Sequence, residues 1–331
     1  MTIATTQVQD LTLASVFEAA NRIAGLAIQT PLKPSSELSR RTGGQVFLKM
    51  ENMQDTGSFK IRGAANAIFH AQDEADFHGV VAASSGNHGK AVAYVARRLG
   101  LAAVICMTEL VPDDKRQGIR ALGAEVVISG KNQNEAVDAA LALAEERNLV
   151  YIPPFDDPWV IAGQGTIGLE MFQQKPDLDT LIVPVSGGGL LSGVAIAARA
   201  INPGIEIIGV TCEKDAAIYE SIKAGKVVNV DERPSIADAL PGPIPLDNKY
   251  TFELCRTLVT EIVPVSEKQI AKAMRYCVDY EQIVLEGAGA ASVAYVLDGK
   301  NFDDRNVAVV CSGCNISGER LAGIFEDFGL N

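Results

Sequence analysis

Aromatic residues are scarce, 6% of a 331-residue chain with a single Trp, and the chain has only three His and six Cys. The imidazoles, at positions 70, 78 and 88, are too few for a typical His-rich metal site. The cysteines stand at 106, 212, 255, 277, 311 and 314, a scatter that speaks for reduced thiols in a cytoplasm and against a disulfide framework. Only Cys311 and Cys314 share CxxC spacing. Zinc would need further ligands close by, and a redox pair should open a helix after a strand, so these two read as small residues flanking a loop. Nothing approaches 18 uninterrupted apolar residues, which argues against a membrane-spanning helix. The N-terminus lacks a basic n-region, its first Arg being Arg22, and does not read as a signal peptide. Lys/Arg-rich runs are also missing, and 41 acidic against 29 basic residues give a formal charge of −12. Nucleic acid and membrane are therefore not expected as partners. Absent too are GxxxxGK[ST], HExxH and GxSxG, which removes the P-loop, zincin and α/β-hydrolase readings.

What remains is an ordinary globular composition, 47% hydrophobic and 21% charged, long enough for one large α/β domain or two of usual size. Short β-branched runs alternate with helical stretches. Strands are expected at Val46–Met50, Val80–Ala83, Ala103–Met107, Glu125–Ile128, Leu149–Ile152, Thr180–Val185, Ile205–Thr211, Glu261–Val265 and Val307–Cys311. Helical periodicity appears at Leu13–Ala24, Ser58–Ala71, Lys90–Leu99, Asn134–Asn148, Leu190–Ala200 and Glu267–Tyr280. Such alternation predicts mostly parallel sheet covered by helices, with ligands gathered where loops leave the carboxyl ends of strands. The stretch from Val80 to Ile152 holds four strands, enough for a small domain, and Pro153-Pro154 then punctuates the chain. A literal GxGxxG occurs at Gly163–Gly168. A dinucleotide fingerprint needs a strand before it and an acidic residue closing the next strand, and neither is present here.

Four segments carry chemistry. Ser186-Gly187-Gly188-Gly189-Leu190 follows an apolar strand and opens a helix, so its bare N–H groups and the helix dipole suit a phosphate. Thr56-Gly57-Ser58-Phe59-Lys60-Ile61-Arg62-Gly63 sets a lysine in a first helical turn. The dipole disfavours a cation there, and a neutral amine or imine removes the conflict, which hints at a Schiff-base lysine. Ser84-Ser85-Gly86-Asn87-His88-Gly89 opens another helix after a strand and offers donors for a carboxylate. Cys311-Ser312-Gly313-Cys314-Asn315 is a loop of small, hydrogen-bonding residues at a strand's carboxyl end.

In this order and spacing, GSFKIRGA, SSGNHG, SGGGLLSG and CSGCN resemble the fold-type II pyridoxal-phosphate enzymes of the tryptophan synthase β family, in the branch of the serine/threonine dehydratases and serine racemases. The likeness runs from Thr30-Pro31-Leu32 to the C-terminus. It implies an α/β fold of two open, twisted, mostly parallel domains with pyridoxal 5′-phosphate in the cleft between them. The large cofactor domain is expected at residues 1–66 and 151–331, and a small substrate-closing domain at 67–150. By the same likeness Lys60 forms the Schiff base with the cofactor aldehyde, Phe59 packs the ring, and Asn87 bonds its phenolic oxygen. Ser186, Gly187, Gly188, Gly189 and Leu190 cradle the phosphate, with Ser186 where a glycine is usual. Ser84, Ser85, Gly86, Asn87 and His88 receive the substrate carboxylate. Ser312 bonds the pyridine nitrogen, and Glu286 is a carboxylate near that edge of the ring or, alternatively, a plain helix N-cap.

The resemblance has two departures. Eukaryotic serine racemases carry a divalent-cation site built from a Glu and an Asp. Aligned from the strand, Glu213 falls on that Glu, but aligned through Tyr219 the positions become Thr211 and Ala217. Hard cations want several oxygens, so no metal is expected. The run Pro241-Gly242-Pro243-Ile244-Pro245-Leu246-Asp247-Asn248 differs from the usual threonine dehydratase text and looks closer to the hydroxyectoine-utilisation or phenylserine dehydratase branch.

The implied reaction is loss of water from a β-hydroxy-α-amino acid, giving an α-keto acid and ammonia, with Lys60 as the Cα base. Racemisation, with Ser85 as donor on the opposite face, is the alternative, as is dehydration of phenylserine, 3-hydroxyaspartate or a hydroxyectoine-pathway intermediate. A non-catalytic amino-acid sensor is the remaining reading. A cytoplasmic homodimer or higher homo-oligomer is expected.

Overall fold

The computed structural model describes residues 11–74, 76–84, 86–111 and 113–330. From the N-terminus the chain forms α1 (Leu13–Arg22), β1 (Leu32–Pro34), α2 (Ser36–Thr42), β2 (Gln45–Lys49) and α3 (Lys60–Glu74). There follow β3 (Gly79–Ala83), α4 (Asn87–Leu99), β4 (Ala102–Met107), α5 (Asp113–Ala121), β5 (Glu125–Ile128), α6 (Gln133–Arg147) and β6 (Leu149–Tyr151). The second half contributes α7 (Pro158–Gln174), β7 (Thr180–Pro184), α8 (Gly189–Ile201), β8 (Glu206–Cys212), α9 (Ala217–Ala224) and α10 (Thr251–Leu258). It ends with β9 (Glu261–Val265), α11 (Glu267–Tyr276), α12 (Gly287–Leu297), β10 (Asn306–Val310) and α13 (Gly318–Asp327).

These strands make two sheets, one of six in the order β1-β2-β10-β7-β8-β9 and one of four in the order β5-β4-β3-β6. Every pairing is parallel except β1 with β2. Parallel strands covered on both faces read as unbroken apolar runs, and β3 and β7 are buried at every position. Each of the nine expected strands is present within about one residue of its predicted ends. The tenth, β1, was not predicted, because three residues ending in proline carry no periodic signal.

Helices were harder to foresee. The GQGTIG segment lies inside α7, not in a loop. Asp157 caps that helix by accepting from the Trp159 and Val160 amides at 2.9 Å, with Pro158 at its first position. Its glycines serve close packing: a Cβ at Gly163 would meet the Arg62 carbonyl at 2.6 Å, and one at Gly165 the Gly193 carbonyl at 2.9 Å. Tertiary packing of α7 on α3 and α8 thus overrides a loop-like composition.

A buried charged cluster joins these layers. Arg62 of α3, 1% exposed, pairs with Glu51 at 2.8 Å and with Glu170 of α7, and the Lys49 ammonium bonds Glu170 and the Thr30 carbonyl. Each of the two cations meets a carboxylate, the condition under which buried charge is tolerated.

Candidate active site

Both sheets end their strands on one cavity of about 420 Å³. All four sequence motifs reach it, together with Pro154-Phe155, the segment around Pro241–Pro243 and Glu286. Of the predicted site residues, Phe59, Lys60, Ser84, Gly86, Asn87, His88, Ser186, Gly187, Gly188, Gly189, Leu190, Glu286 and Ser312 all line it. Ser85 falls outside the described residues.

Lys60 is the first residue of α3, and its Nζ donates to the Pro154 carbonyl at 2.6 Å. Burial lowers its pKa to about 8, which relieves the conflict between a cation and the helix N-terminus. Pro154 belongs to the connection that leaves β6, so the amine of one layer rests on a carbonyl of the other.

The Ser186–Leu190 turn leaves β7 and opens α8. Gly188 has φ +90, a left-handed conformation that glycine adopts without strain. Side chains at Gly187 and Gly189 would run into Phe155, so the loop lies bare against that residue. No side chain caps α8, and its first N–H groups face the cavity end of the strand.

The opposite wall is a hydrogen-bonded chain. The Asn87 Nδ2 donates to the Glu286 carboxylate at 2.6 Å, and the Asn87 Oδ1 accepts from Asn315. Asn315 Nδ2 also donates to the Thr56 carbonyl at 2.9 Å, while its Oδ1 accepts from the Lys90 ammonium at 2.6 Å. Glu286 stands at the N-cap of α12 but makes no side-chain cap bond; its carboxylate serves Asn87 instead. Burial pushes that carboxyl up to about 7. Ser312 is buried, and its carbonyl accepts from the Phe59 amide at 3.1 Å, which fixes the serine opposite the start of α3.

His88 lies in the loop expected to receive the substrate carboxylate, and its ring is turned to a backbone carbonyl. Its Nε2 donates to the Ile152 carbonyl at 2.8 Å, and burial together with Lys60 drops its pKa to about 3. The imidazole is neutral, so any hold on an anion comes from the backbone N–H at the start of α4. Neither Cys311 nor Cys314 lines the cavity; Cys311 is buried and the Cys314 thiol donates to the Asn52 carbonyl at 3.3 Å.

In the turn after β8, Asp215 has φ 57 and its carboxylate is met by the Arg233 Nε at 2.8 Å. The Arg233 guanidinium holds that carboxyl below its usual range. The Asp215 carbonyl accepts from the Gly242 amide at 2.9 Å, tying the turn to the Pro241–Pro243 wall of the cavity. Among the described residues no cluster of His, Cys, Asp and Glu is placed to hold a metal ion.

Sequence reasoning missed Asn315, Lys90, Pro154 and Phe155 as site residues. Lys90 had a usable signal: like Lys60 it stands in a first helical turn, against the dipole. Pro154 acts through its backbone carbonyl, which no residue type advertises.

The family model described as "Pyridoxal-phosphate dependent enzyme" matches residues 23–313. The chain is 44% identical over 306 residues to L-threonine ammonia-lyase of Thermotoga maritima, covering 92% of this chain and 76% of that protein. It is 41% identical over 326 residues to the catabolic L-threonine dehydratase of Staphylococcus aureus, covering 97% and 93%. Among solved structures, maize serine racemase superposes with a TM-score of 0.88 at 33% identity, covering 96% of this chain and 97% of that one.

Proposed function

Because the chain belongs to the pyridoxal-phosphate-dependent enzymes, we propose that it is a lyase that removes water from an L-threonine- or L-serine-type β-hydroxy-α-amino acid. The family's cofactor is pyridoxal 5′-phosphate, and the residues around the cavity fit it. A half-buried, desolvated amine with no carboxylate partner, a glycine turn opening a helix and a buried serine are the donor set that an aldehyde, a phosphate and a ring nitrogen require. The observation that carries this reading is Lys60: a half-buried amine of lowered pKa where the motif loops converge.

In this reading Lys60 would attach the cofactor, with Phe59 against its ring, and the N–H groups of Ser186 to Leu190 would hold its phosphate. Asn87 would meet the phenolic oxygen and Ser312 the ring nitrogen, with Glu286 behind Asn87. When bound, the cofactor supplies a conjugated ring that takes up the charge left on the substrate's Cα. The start of α4, from Ser84 through Ser85, Gly86, Asn87 and His88, would orient the substrate carboxylate on backbone N–H groups. Lys60 Nζ, its pKa brought near working pH by burial, accepts the Cα proton. Closure of residues 67–150 over the remainder would exclude water. As the Cβ–O bond breaks, the hydroxyl takes up the proton that Lys60 drew from Cα and leaves as water, and the released enamine hydrolyses to an α-keto acid and ammonia.

The similarity to maize serine racemase supports a second reading, racemisation, in which Ser85 gives a proton to the opposite face of Cα. We place the enzyme in the cytoplasm as a homodimer or higher homo-oligomer, a reading supported by six free thiols and by the family resemblance. Holoenzyme should be assayed against L- and D-serine, L-threonine, 3-hydroxyaspartate and 3-phenylserine, with keto-acid detection and chiral chromatography in parallel. Keto acid from L-threonine or L-serine is expected. Inversion without keto acid would instead establish the racemase, and a colourless, inert protein after cofactor addition would leave only a binding role.

A further inference from the structure

Three of the four motif loops meet at one side chain, Asn315. Its amide lies in a slot beside Gly57, where a Cβ would stand 2.7 Å from the Asn315 Oδ1, so the TGSFK turn has room for this group only because glycine is there. Gly57 has φ +72, and its carbonyl accepts from the Cys314 amide at 2.9 Å, which fixes the backbone on both sides of the slot.

An amide can be turned over, so its donor and acceptor ends must be fixed by neighbours that have no choice. Two such neighbours flank Asn315. The Lys90 ammonium has donors only and faces Oδ1 at 2.6 Å; the Thr56 carbonyl has acceptors only and faces Nδ2 at 2.9 Å. Turning Asn315 over would set N–H against ammonium and carbonyl against carbonyl. Asn315 therefore presents Nδ2 to Asn87, and Asn87 presents its Oδ1 in return. That leaves the Asn87 Nδ2, with two N–H groups, for the Glu286 carboxylate and for an acceptor in the cavity. The sense runs one way along the chain, from Lys90 to Asn315 to Asn87.

We propose that Asn315, set by Lys90 and the Thr56 carbonyl, is a positioning residue that fixes Asn87 with its N–H groups toward the cofactor ring. This rests on the cofactor assignment made above. It also explains why a lysine stands in the first turn of α4: the Asn315 oxygen supplies the acceptor that the helix N-terminus does not. Asn315 belongs to the six-stranded sheet's last loop, and Asn87 and Lys90 to the helix after β3 of the other sheet. The relay therefore forms only when the two layers are apposed.

The test uses holoenzyme and two substitutions. Asn315→Asp keeps the shape but replaces the donor by an acceptor, so Asn87 must turn over and offer its oxygen to the ring. Lys90→Glu, on a half-exposed helix face, sets an acceptor against the Asn315 oxygen, while Lys90→Arg keeps a donor there. For Asn315→Asp and Lys90→Glu we expect cofactor retention in equilibrium dialysis to weaken by about tenfold or more, with a shifted visible absorption maximum. Lys90→Arg should keep both at wild-type values, and the melting temperatures of the two Lys90 variants should stay close to wild type. Wild-type retention and spectrum in Lys90→Glu would overturn the proposal even if Asn315→Asp failed to fold. A wild type that takes up no pyridoxal phosphate would instead overturn the cofactor reading itself.

Discussion

Lys49 and Lys60 stand eleven residues apart, Lys49 fully buried and Lys60 half-buried, and desolvation lowers the pKa of both. Their surroundings differ. Lys49 meets Glu170 and the Thr30 carbonyl, beside the Glu51–Arg62 pair, and these carboxylates oppose the effect of burial. Around Lys60 no carboxylate opposes it, and the Nζ has a single carbonyl partner. Burial alone therefore does not mark a reactive lysine. What marks it is burial left without compensation, which is costly for the fold and useful only for chemistry.

The sharpest way to break this comparison is to remove each cation in turn. Lys60→Ala should abolish keto-acid release, a loss of about a thousandfold or more, and leave no cofactor covalently fixed after borohydride reduction. Cofactor still fixed in that variant would remove Lys60 from the centre of the site. Arg62→Met strips the compensated cluster of its guanidinium and leaves Glu51 buried unpaired. Denaturant unfolding should then show a loss of about 3–5 kcal/mol, whereas Lys60→Met should cost no stability in the cofactor-free protein. Equal losses would mean that the two sites are not different in kind.

A third measurement sharpens the site's far wall. Ser312→Ala should shift the cofactor absorption and slow turnover about tenfold, while Cys314→Ala should change neither, because its thiol is spent on the Asn52 carbonyl outside the cavity. A fourth measurement is the pH dependence of stability. The Lys60 pKa is about 8 in the folded protein against an ordinary 10.5, so between those values the unfolded chain binds a proton that the folded one does not. Stability of the cofactor-free protein should therefore rise with pH across that window, and Lys60→Met should flatten the rise. Lys49 is common to both proteins and cancels in the difference.

Much of this site was legible in the sequence because glycine, lysine and serine carry chemical meaning when they follow a strand and open a helix. The parallel strands were legible because full burial writes itself as an apolar run. Less could be read where tertiary packing sets the role. The glycines of α7 look like a loop until α3 and α8 close on them, and α12, GAGAASVAYVL, shows no amphipathic face because it is buried nearly all round. Asn315 was quoted as a motif letter with no role assigned, since its meaning lies in partners 225 and 228 positions away. The neutral state of His88 was not legible for a related reason: the Ile152 carbonyl that occupies its ring is a backbone atom.

The glycine contacts between α3, α7 and α8 also decide where this enzyme can vary over generations. A Cβ at Gly163 would strike the Arg62 carbonyl at 2.6 Å, and one at Gly193 would strike the Gly165 amide at 2.6 Å. Backbone meets backbone there, so a substitution has no side chain to adjust and no smaller residue to retreat to. Drift on this floor is closed. The Pro241–Pro243 wall, held through Gly242 to Asp215, carries no such interlock: the space around it is open, the nearest atom to a Cβ at Gly242 being the Glu232 side chain at 3.8 Å, and only the φ of +125 keeps that one position glycine. New substrate preferences can be inherited through that wall while the lysine's platform stays unchanged.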